Sequence, residues 1–486
     1  MTPITSFVAD AGVASEPAAT MEVAGGDAMP ASVRLVGPRA TVEATIRAID
    51  DGWIASLPLR AARWGGPALP LPSGTYRLQI DDVAVTLADH PVVMLGTLRA
   101  EITEGAVRVA APIDPAYDSG EGQDALERRY ATRPGGLENA VFFESFYGRN
   151  VSCNPLAIDR ELAVRAPGVT RYWSVIDLSV SVPDGAIAVV EGSPEWWRAR
   201  GAARLLVVND WLRRRFARRR GQVVLQTWHG TALKRLALHR PGFDPRRAIA
   251  VIRESRRWNV LLAQNPYGGR VLRTAYAFRG PVWVEGYPRN DVLVSGDAAP
   301  VRAALGIADD ARVILYAPTW RDDRDEMVDF LDLAELARRT DAVVLVRGHS
   351  RTLLPGHDAH GDRVVDVTGY PDISHLLLVA DALVTDYSSV MFDFTATGKP
   401  LYLFAPDLAH YRGELRGFYF DLADEAPGPL TATLDELVTA IADPTTADAY
   451  AERYARWRER FNARDDGRAA ERVVARILDQ GFIDRA

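Results

Sequence analysis

Residues 382–398 read ALVTDYSSVMFDFTATG, and this stretch sets the fold class. Residues 382–385 are apolar or β-branched, as in a strand buried on both faces. Asp386, Ser388 and Ser389 then bring three polar groups within four positions. A largely apolar run, 390–396, follows and stops before Gly398. Strand, polar helix start, helix and glycine stop is one half of a βαβ unit. The same grammar repeats from about residue 138, with strands expected at 140–143, 186–190, 205–208, 223–227, 260–263 and 282–285. After Asp291 a second series is expected at 312–317, 342–346, 363–366, 382–385 and 401–404. Apolar strands alternating with helices predict parallel sheets covered on both faces. Two series in succession predict an α/β protein of two doubly wound domains facing a cleft.

The flanks read differently. Residues 31–115 hold short alternating runs at 32–36, 41–46, 75–80 and 83–87, separated by Gly, Pro and Asp. They predict a small β-rich, sandwich-like accessory domain. Residues 1–30 are rich in Ala, Gly, Pro and Met and show no apolar period, which predicts a disordered tail. Residues 448–478 carry a charged amphipathic helical pattern. The expected division is therefore 1–30, 31–115, 116–291, 292–447 and a helical tail, 448–486.

Composition excludes several classes. The chain has 486 residues, 48% apolar and 25% charged, an ordinary globular balance. Its 57 basic and 64 acidic residues leave a net charge of −7, which argues against a nucleic-acid partner. One cysteine, Cys153, excludes a disulfide framework and any multi-cysteine metal site. No apolar run approaches the ~18 residues of a membrane span, and no secretory signal is visible in the first 30 residues. Walker A, G-x-G-x-x-G, G-x-S-x-G and H-E-x-x-H motifs are absent.

Ligands of open α/β sheets bind beyond the carboxyl ends of the strands, so the residues there carry the functional reading. After 223–227 come Trp228, His229, Gly230 and Thr231, then an expected helical run, 232–238. An imidazole at that place can take a proton from an attacking hydroxyl, and Gly230 lets a substrate approach the backbone. Pro318, Thr319, Trp320 and Arg321 follow 312–317. Arg347, Gly348, His349 and Ser350 follow 342–346, a set suited to an anion. The helix start at Ser388 and Ser389 offers free N–H groups and two hydroxyls to a phosphate. Asp393, inside that helix, faces either a ligand's hydroxyls or solvent. Glu144 ends the strand at 140–143, and Arg289 and Asn290 lie on the linker near the cleft. Six arginines surround Trp211, Leu212 and Phe216 between 211 and 220. Read as a helix, that segment either docks on an anionic membrane or packs its apolar side on the sheet.

These strand-end motifs occur in a specific order: Thr227-Trp228-His229-Gly230-Thr231 with Lys234, Asn265-Pro266-Tyr267, Gly286-Tyr287-Pro288-Arg289-Asn290-Asp291, Tyr316-Ala317-Pro318-Thr319-Trp320-Arg321, Arg347-Gly348-His349, Thr385-Asp386-Tyr387-Ser388-Ser389, and Arg416-Gly417-Phe418-Tyr419-Phe420-Asp421. The set resembles the CDP-glycerol glycerophosphotransferase family, the teichoic-acid primases and polymerases, over roughly residues 138–480.

The resemblance implies a GT-B architecture, with acceptor in the first Rossmann-like domain and CDP-activated donor in the second. It implies transfer of glycerol phosphate from CDP-glycerol to a hydroxyl of a polyol-phosphate or lipid-linked acceptor, with CMP leaving. On that footing His229 is the general base. Arg347, His349, Ser388 and Ser389 hold the pyrophosphate, with Thr319 and Arg321 beside them and Arg416 as a further phosphate candidate. Asp386 orients the loop or a donor hydroxyl. Glu144, Gly230, Thr231, Arg289 and Asn290 belong to the acceptor side or the cleft. The resemblance implies no cofactor and no obligatory metal, and a cytoplasmic protein at the inner face of the membrane. A CDP-ribitol or other CDP-polyol donor, a nucleotide-sugar glycosyltransferase and a non-catalytic polymer-binding protein are the alternatives.

Overall fold

A computed structural model describes residues 4–10, 18–26, 28–132, 135–213, 216–319, 331–348, 363–408 and 417–485. The chain divides into two compact units. The first holds residues 1–136, 147–151 and 172–202; the second holds the remainder.

In the first unit two antiparallel sheets enclose one core. One sheet runs Ile4–Asp10, Ala18–Gly25, Gly52–Pro58, Thr45–Ile49. The other contains His90–Met94, Arg99–Thr103, Ala106–Ala110, Gly74–Ile80, Val33–Val36 and Thr41–Glu43. Alternate residues face inward, as the period of two requires: Trp53, Ala55 and Leu57 from one sheet, Tyr76 and Leu78 from the other. The phenol of Tyr76 donates to the Pro72 carbonyl at 2.8 Å. Residues 1–30, expected as a disordered tail, instead contribute the strands Ile4–Asp10 and Ala18–Gly25. Ala19, Met21 and Val23 alternate into the core while Thr20, Glu22 and Ala24 do not. Two of those inward residues are small or flexible, so the alternation is faint in the sequence.

The boundary expected at residue 115 also moves. The helix Gly120–Thr132 packs on Pro194–Ala202. Tyr130 lies 5.5 Å from the Trp197 ring, and Trp197 Nε1 donates to Gln123 at 3.0 Å. This packing draws 172–202 into the first unit.

The second unit holds both α/β sheets. Five parallel strands, Glu138–Glu144, Ala203–Val208, Val223–Gln226, Val260–Ala263 and Val282–Val284, lie side by side in that order. The second sheet has spatial order Val364–Asp366, Ala342–Val346, Arg312–Ala317, Ala382–Thr385, Leu401–Phe404, Leu430–Thr431, with all five pairings parallel. Its order reverses between Arg312–Ala317 and Ala382–Thr385, which makes a topological switch point there. This is the GT-B arrangement expected above.

The chain leaves the first lobe through Gly286 at φ +84, where a side chain would strike the Arg464 carbonyl at 2.3 Å. It returns through its last helices. Thr446–Phe461 packs on the second lobe, with Trp457 stacked 4.9 Å from Phe392. Ala469–Asp479 packs on the first-lobe helix Cys153–Arg165, and its first amides donate to the Asp291 carboxylate at 2.9 and 2.8 Å.

Met21 is fully buried, so Met21→Ala is expected to cost about 2–5 kcal/mol by cavity formation. Urea unfolding checks this, and an unchanged midpoint would return residues 18–25 to a tail.

Candidate active site

The strand Val223–Gln226 ends at Thr227, whose N–H and hydroxyl both donate to the Val208 carbonyl, at 2.7 and 3.2 Å. Trp228 then adopts φ 55, in the left-handed region, and its N–H donates to Gln226 Oε1 at 2.9 Å. That turn lays the Trp228 ring flat on the His229 ring, 4.9 Å away and 19° from parallel. His229 Nδ1 lies 2.6 Å from the Asn209 carbonyl. A carbonyl only accepts, so Nδ1 carries a proton and Nε2 of the neutral ring keeps its lone pair. That is the tautomer a general base needs.

The run 232–238 is not the helix expected. Tyr419 N donates to the Leu233 carbonyl at 2.9 Å, and Arg235 N donates to the Gly417 carbonyl at 3.1 Å. Tyr419 also accepts from Leu236 N at 3.2 Å, and its hydroxyl lies 2.8 Å from His239 Nδ1. Cross-lobe pairing therefore takes the backbone groups that a helix would use. Thr231 is committed internally: its hydroxyl donates to Gln264 at 2.6 Å and accepts from Asn265 at 3.0 Å. Gly230 is a further point at which the lobes touch. A Cβ there would fall 2.6 Å from Ser389 Oγ and 3.0 Å from its Cβ.

On the second lobe, Thr319 and Asp386 meet at the switch point. The Thr319 amide donates to both Asp386 carboxylate oxygens, at 2.9 and 3.1 Å, and the Tyr387 amide donates to one of them. Asp386 thus ties together the ends of two adjacent strands. Ser388 and Ser389 open the short helix Val390–Phe394 and are half-buried. Arg347 spends Nη1 on the Val367 and Tyr370 carbonyls, at 3.2 and 2.7 Å, and burial brings its guanidinium down to about 10. It remains cationic at neutral pH while pinning that loop.

Asp393 faces neither ligand hydroxyls nor solvent. It is buried and accepts from Arg289 Nη2 at 2.6 Å and from Asn290 Nδ2 at 3.0 Å. Arg289 Nη1 also lies 3.2 Å from Cys153 Sγ. Burial disfavours the Arg289 charge, and Asp393, Cys153 and Tyr287 together more than restore it. Asn154 connects this cluster to the histidine loop. Its Oδ1 accepts from Arg289 N, and its Nδ2 donates to the Thr227 and Trp228 carbonyls. Cys153, Asn154 and Asn209 are absent from the residues singled out in the sequence. Asn209 follows the apolar strand Ala203–Val208, so the strand-end rule reaches it, but its neighbour Asp210 makes the pair read as a turn.

Glu144 is buried at the end of the strand Glu138–Glu144. Arg321, His349 and Arg416 lie outside the described residues. The 211–220 segment forms no helix among its described residues. Leu212 and Phe216 are buried, and Trp211 packs 6.4 Å from Tyr276, so its apolar groups face inward. The local reason is polar: Glu254 accepts from the Leu212 amide and Arg257 donates to the Leu212 carbonyl. Among the described residues no group of three His, Cys, Asp or Glu side chains is placed to hold a metal, and no helix is long and apolar enough to cross a membrane.

A family model described as CDP-glycerol:poly(glycerophosphate) glycerophosphotransferase matches residues 129–479. The teichoic acid glycerol-phosphate transferase of Staphylococcus aureus is 34% identical over 383 residues, covering 70% of this chain and 93% of that protein. The teichoic acid poly(glycerol phosphate) polymerase of Bacillus subtilis is 35% identical over 362 residues, again 70% of this chain, and the chain spans 48% of that longer protein. A solved structure of the wall teichoic acid polymerase TagF, a histidine variant soaked with CDPG, superposes with a TM-score of 0.68 at 30% identity, covering 74% of this chain and 94% of that one. The match takes in both α/β sheets and all the strand-end motifs described above, and the chain belongs to the CDP-glycerol:poly(glycerophosphate) glycerophosphotransferase family.

Proposed function

We propose that this protein transfers glycerol phosphate from CDP-glycerol to a hydroxyl of a polyol-phosphate polymer or lipid-linked acceptor and releases CMP. The observation that supports this reading is the contact of Gly230 with Ser389, which brings the residue after His229 against the second lobe's serine, with His229 Nδ1 bonded to the Asn209 carbonyl. The acceptor hydroxyl gives its proton to His229 Nε2 as its oxygen bonds to the donor's β-phosphorus. The bond from that phosphorus to the bridging oxygen breaks, and CMP leaves with the electron pair. Ser388, Ser389 and the Arg347 charge stabilise the developing negative charge, and His349, Arg321 and Arg416 join them in this reading. Asp386 and Thr319 hold the donor loop, while Glu144, Arg289 and Asn290 frame the acceptor side. No metal is required for the step.

CMP release from CDP-glycerol, with a glycerol-phosphate-bearing lipid as acceptor, tests this directly. His229→Ala is expected to keep donor affinity and lose roughly 10²–10⁴-fold in turnover. Wild-type turnover would remove His229 from the chemistry, and UDP release from a nucleotide sugar would replace the reaction class. Gly230→Ala must displace Ser389, and misplacement on that scale can cost up to about 10²-fold in rate. Unchanged kinetics would separate the two groups functionally.

An acceptor carried on a lipid places the enzyme at the inner membrane face, and the surface best suited to that is not 211–220. The helix Pro245–Ser255 and the turn before it expose Phe243, Ile249 and Ile252, with Phe243 at 90%. Arg240, Arg246, Arg253 and Arg256 are exposed around them. Apolar side chains ringed by arginines fit an anionic lipid surface at about 1 kcal/mol per basic residue. Cosedimentation is expected with vesicles containing phosphatidylglycerol and not with pure phosphatidylcholine. The combined change Phe243→Ser and Ile249→Ser is expected to abolish it; undiminished binding would move the contact elsewhere.

A further inference from the structure

Two of the aromatic residues that wall His229 have a strained backbone. Phe146 stands at φ 45 and Trp228 at φ 55, both aromatic residues in the left-handed region. Such conformations are costly and persist only where surrounding bonds over-determine them. Both residues line the imidazole: Trp228 stacks on it, and the Phe146 ring lies 5.5 Å away at 58°. The bonds that hold Phe146 and the imidazole converge on one residue. Asn209, fully buried at the end of Ala203–Val208, accepts from the Phe146 amide through Oδ1 at 2.9 Å. Its Nδ2 donates to Ser145 Oγ at 3.3 Å, and its carbonyl receives His229 Nδ1 at 2.6 Å. Gln226 braces the next position, accepting from Trp228 N and donating to the Asp210 carbonyl at 2.9 Å.

We propose that Asn209 is the positioning residue of this transferase: its side chain locks the strained Phe146 turn, and its carbonyl fixes the tautomer and aim of His229. This rests on the reading of His229 as the base. Three bonds from one residue hold both the ring's proton and one of its walls, so the lone pair on Nε2 has a single direction. A buried asparagine suits this task because its amide accepts at Oδ1 and donates at Nδ2, whereas leucine does neither and the shorter serine has only one atom for both roles. His229 in turn contributes to the electrostatics of the buried Asp393, which is left unchanged in the test.

The test is a double-mutant cycle of Asn209→Ala with His229→Ala, read by CMP release, CDP-glycerol KM and the pH profile of kcat, with Asn209→Asp as a third variant. Asn209→Ala is expected to lower kcat about 10–100-fold with KM for CDP-glycerol within about twofold. In the His229→Ala background the same change is expected to cost less than about twofold, because Asn209 acts through the ring. Asn209→Asp can still accept from the Phe146 amide and from the Ser145 hydroxyl, and it adds a negative charge beside the imidazole. That charge favours the imidazolium, so the acid limb of the profile should move to higher pH while turnover above it is retained. An equal loss from Asn209→Ala in both backgrounds, or an unmoved limb in Asn209→Asp, overturns the proposal. If Asn209→Ala does not fold, the displaced or unmoved limb of Asn209→Asp decides. Wild-type turnover in His229→Ala alone would instead overturn the assignment of the base.

Discussion

The geometry of the site depends on a buried ion pair. Arg289 and Asp393 are 2.6 Å apart with side chains only 5% and 3% exposed. Taking both charges out of water is costly, and removing one partner of such a pair typically costs about 3–5 kcal/mol. What the pair supplies in return is direction. Arg289 sits on the linker between the sheets, and Asp393 sits in the helix that starts at Ser389. Apolar contact alone would let these elements slide. A guanidinium bonded to one carboxylate oxygen and the Asn290 amide bonded to the other leave little room for that. Asn154 then carries the register from Arg289 to the Thr227 and Trp228 carbonyls, one residue before His229.

A second polar node supports the same joint. Asp465, between the last two long helices, accepts from Gln264, Asn462 and the Tyr287 amide at 2.7, 2.9 and 3.1 Å. Burial pushes its carboxyl up to about 6. Gln264 also accepts from Thr231, and Asn462 donates to the Phe392 carbonyl, so the node reaches the histidine loop on one side and the serine helix on the other. Thr231, read from sequence as a cleft residue, is therefore part of the frame. Directional bonds of this kind specify one arrangement, because each donor left unmatched in a dry interior is penalised.

Much of the fold was legible because buried parallel strands are apolar throughout: Val260–Ala263 and Ala382–Thr385 announce themselves. The strand-end rule pointed to His229, Ser389 and Asp386, and the structure brings Gly230, beside that histidine, against Ser389 and bonds Asp386 to the Thr319 amide. What it missed has physical causes. Ile4–Asp10 and Ala18–Gly25 alternate with small residues, so their period is weak although Met21 and Val23 are fully buried. The arginine-rich stretch at 211–220 mimics an amphipathic helix, yet Glu254 and Arg257 capture its backbone. The run after Thr231 has helical propensity and is overridden by pairing with Gly417–Tyr419, nearly 200 residues away. Asn209 meets His229 through its main-chain carbonyl, and a main-chain contact leaves no signature in residue type.

The two lobes divide the chemistry unequally. On the first, a strained and fully bonded turn fixes the imidazole, so orientation there is settled before any ligand arrives. On the second, the Thr319–Asp386 bond closes the switch point and leaves the half-buried serine hydroxyls as the adaptable contacts. Such a split suits a transfer in which the acceptor is a long flexible alcohol and the donor a compact diphosphate. The flexible partner gains most from a base that does not move, since only an aligned hydroxyl is then deprotonated. The compact partner gains most from groups that tighten as charge develops. The Arg289–Asp393 joint connects these halves, which makes the relative placement of His229 and Ser389 a property of the frame and not of either lobe alone.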